Sequence, residues 1–116
     1  MNRGDVLLVR FPHPSGGRGK KRPVVVVQAD AYNNMLRTLV VAEVTTNLDM
    51  AGDPACLFID ASTAEGQATG VLQDSVLSCL LMATIKADRV DRVIGVLSDT
   101  LKQKLNGCMM TALALP

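Results

Sequence analysis

Aromatic side chains are nearly missing from this chain, which has no Trp, one Tyr and two Phe in 116 residues. A protein that holds single strands by stacking successive bases on rings needs more than that. Any nucleic-acid partner must therefore be gripped through backbone charge and polar contacts. Histidine is as scarce: His13 is the one copy, so an imidazole acid cannot be paired with an imidazole base. The three cysteines, Cys56, Cys79 and Cys108, are widely spaced and form no CxxC. With a single histidine beside them they argue against a zinc site, and no metal or other cofactor is expected. Free thiols in apolar surroundings fit buried residues in a reducing cytosol. No run nears the roughly 18 apolar residues of a membrane span, and Met1-Asn2-Arg3-Gly4-Asp5 carries no apolar signal region. A cytoplasmic protein without membrane contact is expected. The phosphate-cradling GxxxxGK[ST] loop and the GxSxG nucleophile elbow are also missing.

What is present is concentrated in one place. The chain is 48% hydrophobic and 20% charged with a net charge of +1, an ordinary composition for one globular domain spanning residues 1–116. Yet from Val6 to Ala29 there is no Asp or Glu, while Arg10, Arg18, Lys20, Lys21 and Arg22 supply five cations. Gly16, Gly17 and Gly19 are interleaved with them and hold no fold of their own, and Pro23-Val24-Val25-Val26-Val27 follows as the strongest strand signal in the sequence. A cationic loop thus feeds into a buried strand, with Arg22 at its mouth and Pro23 where a ladder N–H is dispensable. Such local positive charge suits a polyanion. On charge alone, a solvated hairpin loop fits as well.

Taken in order, Asp5–Phe11 reads as a first strand, with Val6 and Leu8 on one face and Leu7, Val9 and Phe11 on the other. Pro12-His13-Pro14-Ser15-Gly16 stops it. Pro23–Gln28 is the second strand, Asp30–Met35 a polar connector with room for a helical turn, and Thr38–Thr45 the third strand. Thr46–Pro54 is a loop by composition, Ala55–Ile59 a short strand, and Asp60–Gly70 a polar stretch with about one turn of helix. Gly70–Ile85 resumes strand character, interrupted by Asp74-Ser75, and Arg92–Leu97 is a further strand. Ser98 is placed to cap a C-terminal helix, along which Leu101, Leu105, Cys108, Ala112 and Leu115 recur at helical spacing. The expected class is mostly β (α+β), a small curled antiparallel sheet with the helix packed on it.

Polar residues gather at the strand ends: Arg22 opens the second strand, Thr45 and Thr46 close the third, and Asp74 and Ser75 open the fifth. Cleaving an RNA phosphodiester needs a base for the 2′-hydroxyl, a cation for the charge developing on phosphorus, and an acid for the leaving 5′-oxygen. The planar fork of Arg22 matches two phosphate oxygens, the Thr45 hydroxyl can hold another, and Asp74 is the nearest base. On spacing alone, Thr45 and Thr46 also read as turn residues and Asp74-Ser75 as a loop.

Arg3-Gly4-Asp5-Val6, the glycine-rich loop with Arg22-Pro23-Val24-Val25-Val26-Val27, Val44-Thr45, Gly70-Val71-Leu72-Gln73-Asp74-Ser75-Val76 and Ala83-Thr84-Ile85 together resemble the MazF/PemK/Kid family of toxin endoribonucleases. The resemblance runs in order over essentially the whole chain. It implies an SH3-like barrel with a C-terminal helix (the CcdB/PemK-like fold), acting as a homodimer. It implies the toxin of a type II toxin–antitoxin pair that inhibits translation and growth. The reaction implied is metal-independent, sequence-specific cleavage of single-stranded RNA, mainly mRNA, giving 2′,3′-cyclic phosphate and 5′-hydroxyl ends. A cognate antitoxin would fill the RNA groove with an acidic or apolar tail, and the loop Pro12–Lys21 would gate it. Arg22 and Thr45 match the family's transition-state residues, and Asp74 an acidic or polar region used for substrate contact or as a base. Arg10, His13, Arg18, Lys20, Lys21, Thr46, Gln73 and Ser75 are the expected RNA contacts.

The chain departs from the family pattern in two places. Gln73 stands where members often carry Arg, and Leu80-Leu81-Met82-Ala83-Thr84-Ile85 where they often read Glu-Gln-Ile-Arg-Thr-Ile. The general acid is then left among Arg22, Lys20, Lys21 and His13. The alternatives are a degenerate toxin that binds RNA or antitoxin without cleaving, and a gyrase poison of the CcdB kind. The end Thr111-Ala112-Leu113-Ala114-Leu115-Pro116 lacks the aromatic and charged tail of the latter.

Overall fold

A computed structural model describes residues 1–10 and 20–116. The far end of the expected first strand and most of the expected gating loop, with His13 and Arg18, lie outside the described residues. The β-branched runs become strands: β1 Asp5–Arg10, β2 Lys21–Val26, β3 Thr38–Thr45, β4 Cys56–Ile59, β5 Ser75–Lys86 and β6 Val90–Val96. The polar connectors become two short helices, α1 Asp30–Asn33 and α2 Ala64–Ala68, a 3-10 turn follows at Ala87–Arg89, and α3 Asp99–Ala112 closes the chain. The strands form one sheet in the order β4-β5-β3-β2-β1-β6, and every pairing is antiparallel. The curled antiparallel sheet with a C-terminal helix is thus the architecture observed.

Period-2 alternation splits the apolar residues between two cores. Val6, Val25, Val27, Ala42, Val44, Leu57, Ile59 and Leu77 turn to one face, where Leu101, Leu105 and Cys108 of α3 pack on them. Leu7, Val9, Val24, Val26, Leu39, Val41 and Ile85 turn to the other face and bury one another inside the curl. The order of magnitude for each fully buried Val or Leu is about 1.5–3 kcal/mol, so both faces are committed to their partners. A one-residue slip of β2 would exchange them.

Three elements differ from the sequence expectation. The fifth strand starts at Ser75 rather than Gly70, because Gly70 turns the chain with φ +83° and the Asp74 carboxylate accepts the Ala61 N–H at 2.9 Å. The sixth strand starts two residues early, at Val90, because β1 supplies a partner there, Val9 opposite Val90. The helix is capped as expected, Ser98 Oγ accepting the Leu101 N–H at 3.1 Å, but it stops at Ala112. Beyond it Ala114 has φ 54° and the Leu115 N–H reaches back to the Met110 carbonyl at 2.8 Å. Leu115 is therefore exposed and off the buried stripe.

Closure depends on a close approach between β6 and the end of α2. A Cβ on Gly95 would collide with the Thr69 carbonyl and the Ala68 oxygen, and one on Gly70 with the Ile94 oxygen. Thr69 is fully buried there, its hydroxyl donating to the Gly66 carbonyl at 2.6 Å.

Candidate functional site

The register of β2 against β3 builds the site. Val26 lies opposite Val41 and Val24 opposite Glu43, so continuing the ladder sets Arg22 across from Thr45. Alternation puts Arg22, Glu43 and Thr45 on the same face as the inner core residues Val24, Val26 and Val41. These three polar residues begin where the apolar interior ends, at the mouth of the curl. A groove of about 330 Å³ opens there, lined by Lys20, Arg22 and Pro23 from one side, by Glu43 through Thr46 from another, and by Ser75 and Leu81 of β5.

The hydroxyls around this groove are oriented. Thr45 Oγ1 accepts the Asn47 N–H at 3.1 Å, which leaves its own hydrogen free to donate to an anion. Ser75 Oγ donates to the Gln73 carbonyl at 2.8 Å and keeps its lone pairs available. Among the described residues, neither Arg22 nor Glu43 is held in an ion pair. A guanidinium, an ammonium and the free Thr45 hydroxyl around one groove can hold a phosphodiester.

The expected site residues divide by position. Arg22, Thr45, Lys20, Thr46 and Ser75 share the groove. Gln73 lies in an adjoining hollow of about 220 Å³ that shares Pro23, Thr46 and Ser75 and adds Leu8, Val71, Leu72 and Ile94. Asp74 is exposed, but its carboxylate is engaged by Ala61 and it is not among the residues lining the groove. Lys21 turns to Asp91 of β6, its Nζ 3.2 Å from the carboxylate. Arg10 lines a separate depression of about 260 Å³ with Val9, Thr84, Lys86 and Arg89. His13 and Arg18 are outside the described residues.

One groove residue went unnoticed in the sequence and another was noticed for a different reason. Glu43 sits in a β-branched run and reads as a stray charge on a strand. Its parity was the available signal, because Leu39, Val41, Glu43 and Thr45 are spaced by two. Leu81 was noticed only as a departure from a pattern, whereas it forms part of the groove wall. Among the described residues there is no group of three His, Cys, Asp or Glu that could hold a metal ion. Nor, among the described residues, is any helix long and apolar enough to cross a membrane.

A sequence profile described as PemK-like, MazF-like toxin of type II toxin–antitoxin system matches residues 2–113. Endoribonuclease MazF6 of Mycobacterium tuberculosis is 34% identical over 96 residues, 80% of each chain. Endoribonuclease EndoA of Bacillus subtilis is 31% identical over 116 residues, covering 99% of this chain and 96% of the relative. In three dimensions the M. tuberculosis toxin MazF-mt6 superposes with a TM-score of 0.77 at 24% identity, over 97% of this chain and 98% of that one. A mycobacterial endoribonuclease solved in complex with its cognate antitoxin gives 0.79 at 21% identity, over 100% and 97%.

Proposed function

The chain belongs to the PemK-like, MazF-like toxins of type II toxin–antitoxin systems, and on that premise we propose that it is an endoribonuclease cutting single-stranded RNA. What supports this reading is that Arg22 and Thr45 line one groove. The guanidinium takes the two non-bridging oxygens of the scissile phosphate, the Thr45 hydroxyl donates to that phosphate, and Lys20 draws the strand in. The attacking group is the neighbouring 2′-hydroxyl, and the products are a 2′,3′-cyclic phosphate and a 5′-hydroxyl. No metal takes part in this scheme. Thr46, Ser75 and the Gln73 hollow receive the flanking nucleotide, where Gln73 supplies a polar edge and Leu81 an apolar wall in place of a family polar residue. The protein works in the cytoplasm as a homodimer of single-domain chains, with mRNA as substrate. A cognate antitoxin blocks it by laying an acidic or apolar tail along the same groove.

The test is incubation of the purified protein with a long single-stranded RNA, with and without EDTA, followed by mapping of the ends. Cuts at a recurring short sequence, resistant to EDTA and bearing 5′-hydroxyl ends, are expected. Arg22→Ala is expected to slow them by about 10²–10³-fold, the usual cost of removing one donor to a developing anion. A folded protein that leaves the RNA intact would overturn the reading in favour of a binding role.

A further inference from the structure

We propose that Glu43 is the general base of the cleavage reaction, the group that takes the proton from the attacking 2′-hydroxyl. The inference rests on the endoribonuclease reading and completes it, because a cation and a hydroxyl donor stabilise charge but remove no proton.

Three observations converge on Glu43. Among the described residues, it is the one carboxylate that lines the groove holding Arg22 and Thr45. It is in register with Val24, two residues from Arg22 on the same face. That makes it a diagonal neighbour of Arg22, a relation that spans about 7–8 Å between strands and leaves room for a phosphate and its ribose between the two side chains. It also sits at the fault in the β3–β5 ladder: Ala42 is opposite Met82 but Glu43 is opposite Ser78, so Cys79, Leu80 and Leu81 fall between successive partners. Irregularities of this kind re-aim side chains and open a sheet beside active sites. Glu43 is partly exposed there, as is Thr45 two residues on, whereas Leu39 and Val41 deeper on the same face are sealed.

Asp74, the acid expected for the role from sequence, is placed differently. Its Oδ1 accepts the Ala61 N–H at 2.9 Å, which ties it to the β4–α2 connection on the far side of Ser75. Glu43 has no such partner among the described residues. The charged groups that share the groove with it are Lys20 and Arg22.

The step is balanced as follows: the Glu43 carboxylate accepts the 2′-hydroxyl proton as the O2′–P bond forms, and the P–O5′ bond breaks. The leaving 5′-oxygen takes a proton from water, and the hydroxide so formed recovers the proton held by Glu43.

Single-turnover cleavage of one RNA by wild type, Glu43→Gln and Asp74→Asn, from about pH 5 to 9, tests this. Binding is measured in parallel on the same RNA carrying a 2′-deoxy sugar at the cut. Glu43→Gln is expected to cleave about 10²-fold more slowly or worse, to lose the rise of rate with pH on the acid side, and to bind the uncleavable RNA within about threefold of wild type. Asp74→Asn is expected to keep the acid-side rise. Near-wild-type cleavage by Glu43→Gln, a loss of cleavage matched by an equal loss of binding, or disappearance of the rise in Asp74→Asn instead would each overturn the assignment. Should Glu43→Gln fail to fold, Glu43→Asp replaces it, and a folded Glu43→Asp without the acid-side rise is equally fatal. An inactive wild type would overturn the endoribonuclease reading itself, a result distinct from any of these.

Discussion

Asp30 ties the N-terminus to the rest of the fold through a single carboxylate. Its Oδ1 accepts the Arg3 N–H at 2.6 Å and an Asn33 side-chain N–H at 3.2 Å. The Arg3 side chain then runs on to the Val27 carbonyl at 3.0 Å and to Asn106 of α3 at 2.8 Å. The backbone hydrogen bond from Arg3, followed by the Asn33 bond, holds the Asp30 carboxyl below its ordinary 3.8. A pKa lower in the folded than in the unfolded chain means that the ionised form stabilises the fold. The contribution is complete above the unfolded value and fades as pH falls through the folded one. Asp30→Asn should therefore melt below wild type near neutral pH, and the gap should close as melts are taken down to about pH 2. A gap that stays constant with pH would show that the charge is not what Asp30 contributes.

Among the elements, β6 is the one whose placing depends most on a small residue. Gly95 passes so close to the turn after α2 that a methyl group would meet the Thr69 carbonyl and the Ala68 oxygen, both backbone and neither able to swing aside. Gly95→Ala is expected to cost about 1–3 kcal/mol or more, read as a lower urea midpoint with an unchanged slope. Strand existence was legible in the sequence because Val24–Val27 and Thr38–Thr45 are rich in β-branched residues, and α3 was legible from Ser98 and the Leu101, Leu105, Cys108 spacing. The boundaries were less so. Asp74-Ser75 marked an interruption, but not that Val71-Leu72 lie outside the strand, since that depends on the positive φ at Gly70 and on the distant bond between Asp74 and Ala61. The site was legible to the same extent. Arg22 and Thr45 announced themselves as strand-end residues, but Glu43 gains its meaning from a register between two strands and a fault against a third. Pairing of that sort is long-range information that no window of sequence contains.

For the whole molecule, a net charge of +1 leaves little general attraction for RNA, so binding must come from where the cations stand. Lys20 lines the groove, whereas Lys21 is already paired with Asp91 at 3.2 Å. Each phosphate neutralised on a single strand contributes a slope of about 0.7 to log affinity against log salt. Measured on a 2′-deoxy-blocked RNA, Lys20→Ala should flatten that slope by about 0.7, and Lys21→Ala by clearly less. Equal changes would mean that Asp91 releases Lys21 when RNA arrives.

The buried thiols have a further consequence, two of them lying in the core under α3. Cys56, Cys79 and Cys108 are all buried and unpaired, and burial pushes the Cys79 thiol up to about 11 and raises that of Cys108 as well. Thiolate chemistry with oxidants or alkylating reagents is therefore closed to those two while the fold is intact. Once the sheet opens, they return to the reactivity of ordinary thiols. The chain thus carries its own clock: with a reagent that outruns reclosing, the rate at which these two sulfurs become labelled is the rate at which the fold opens around them.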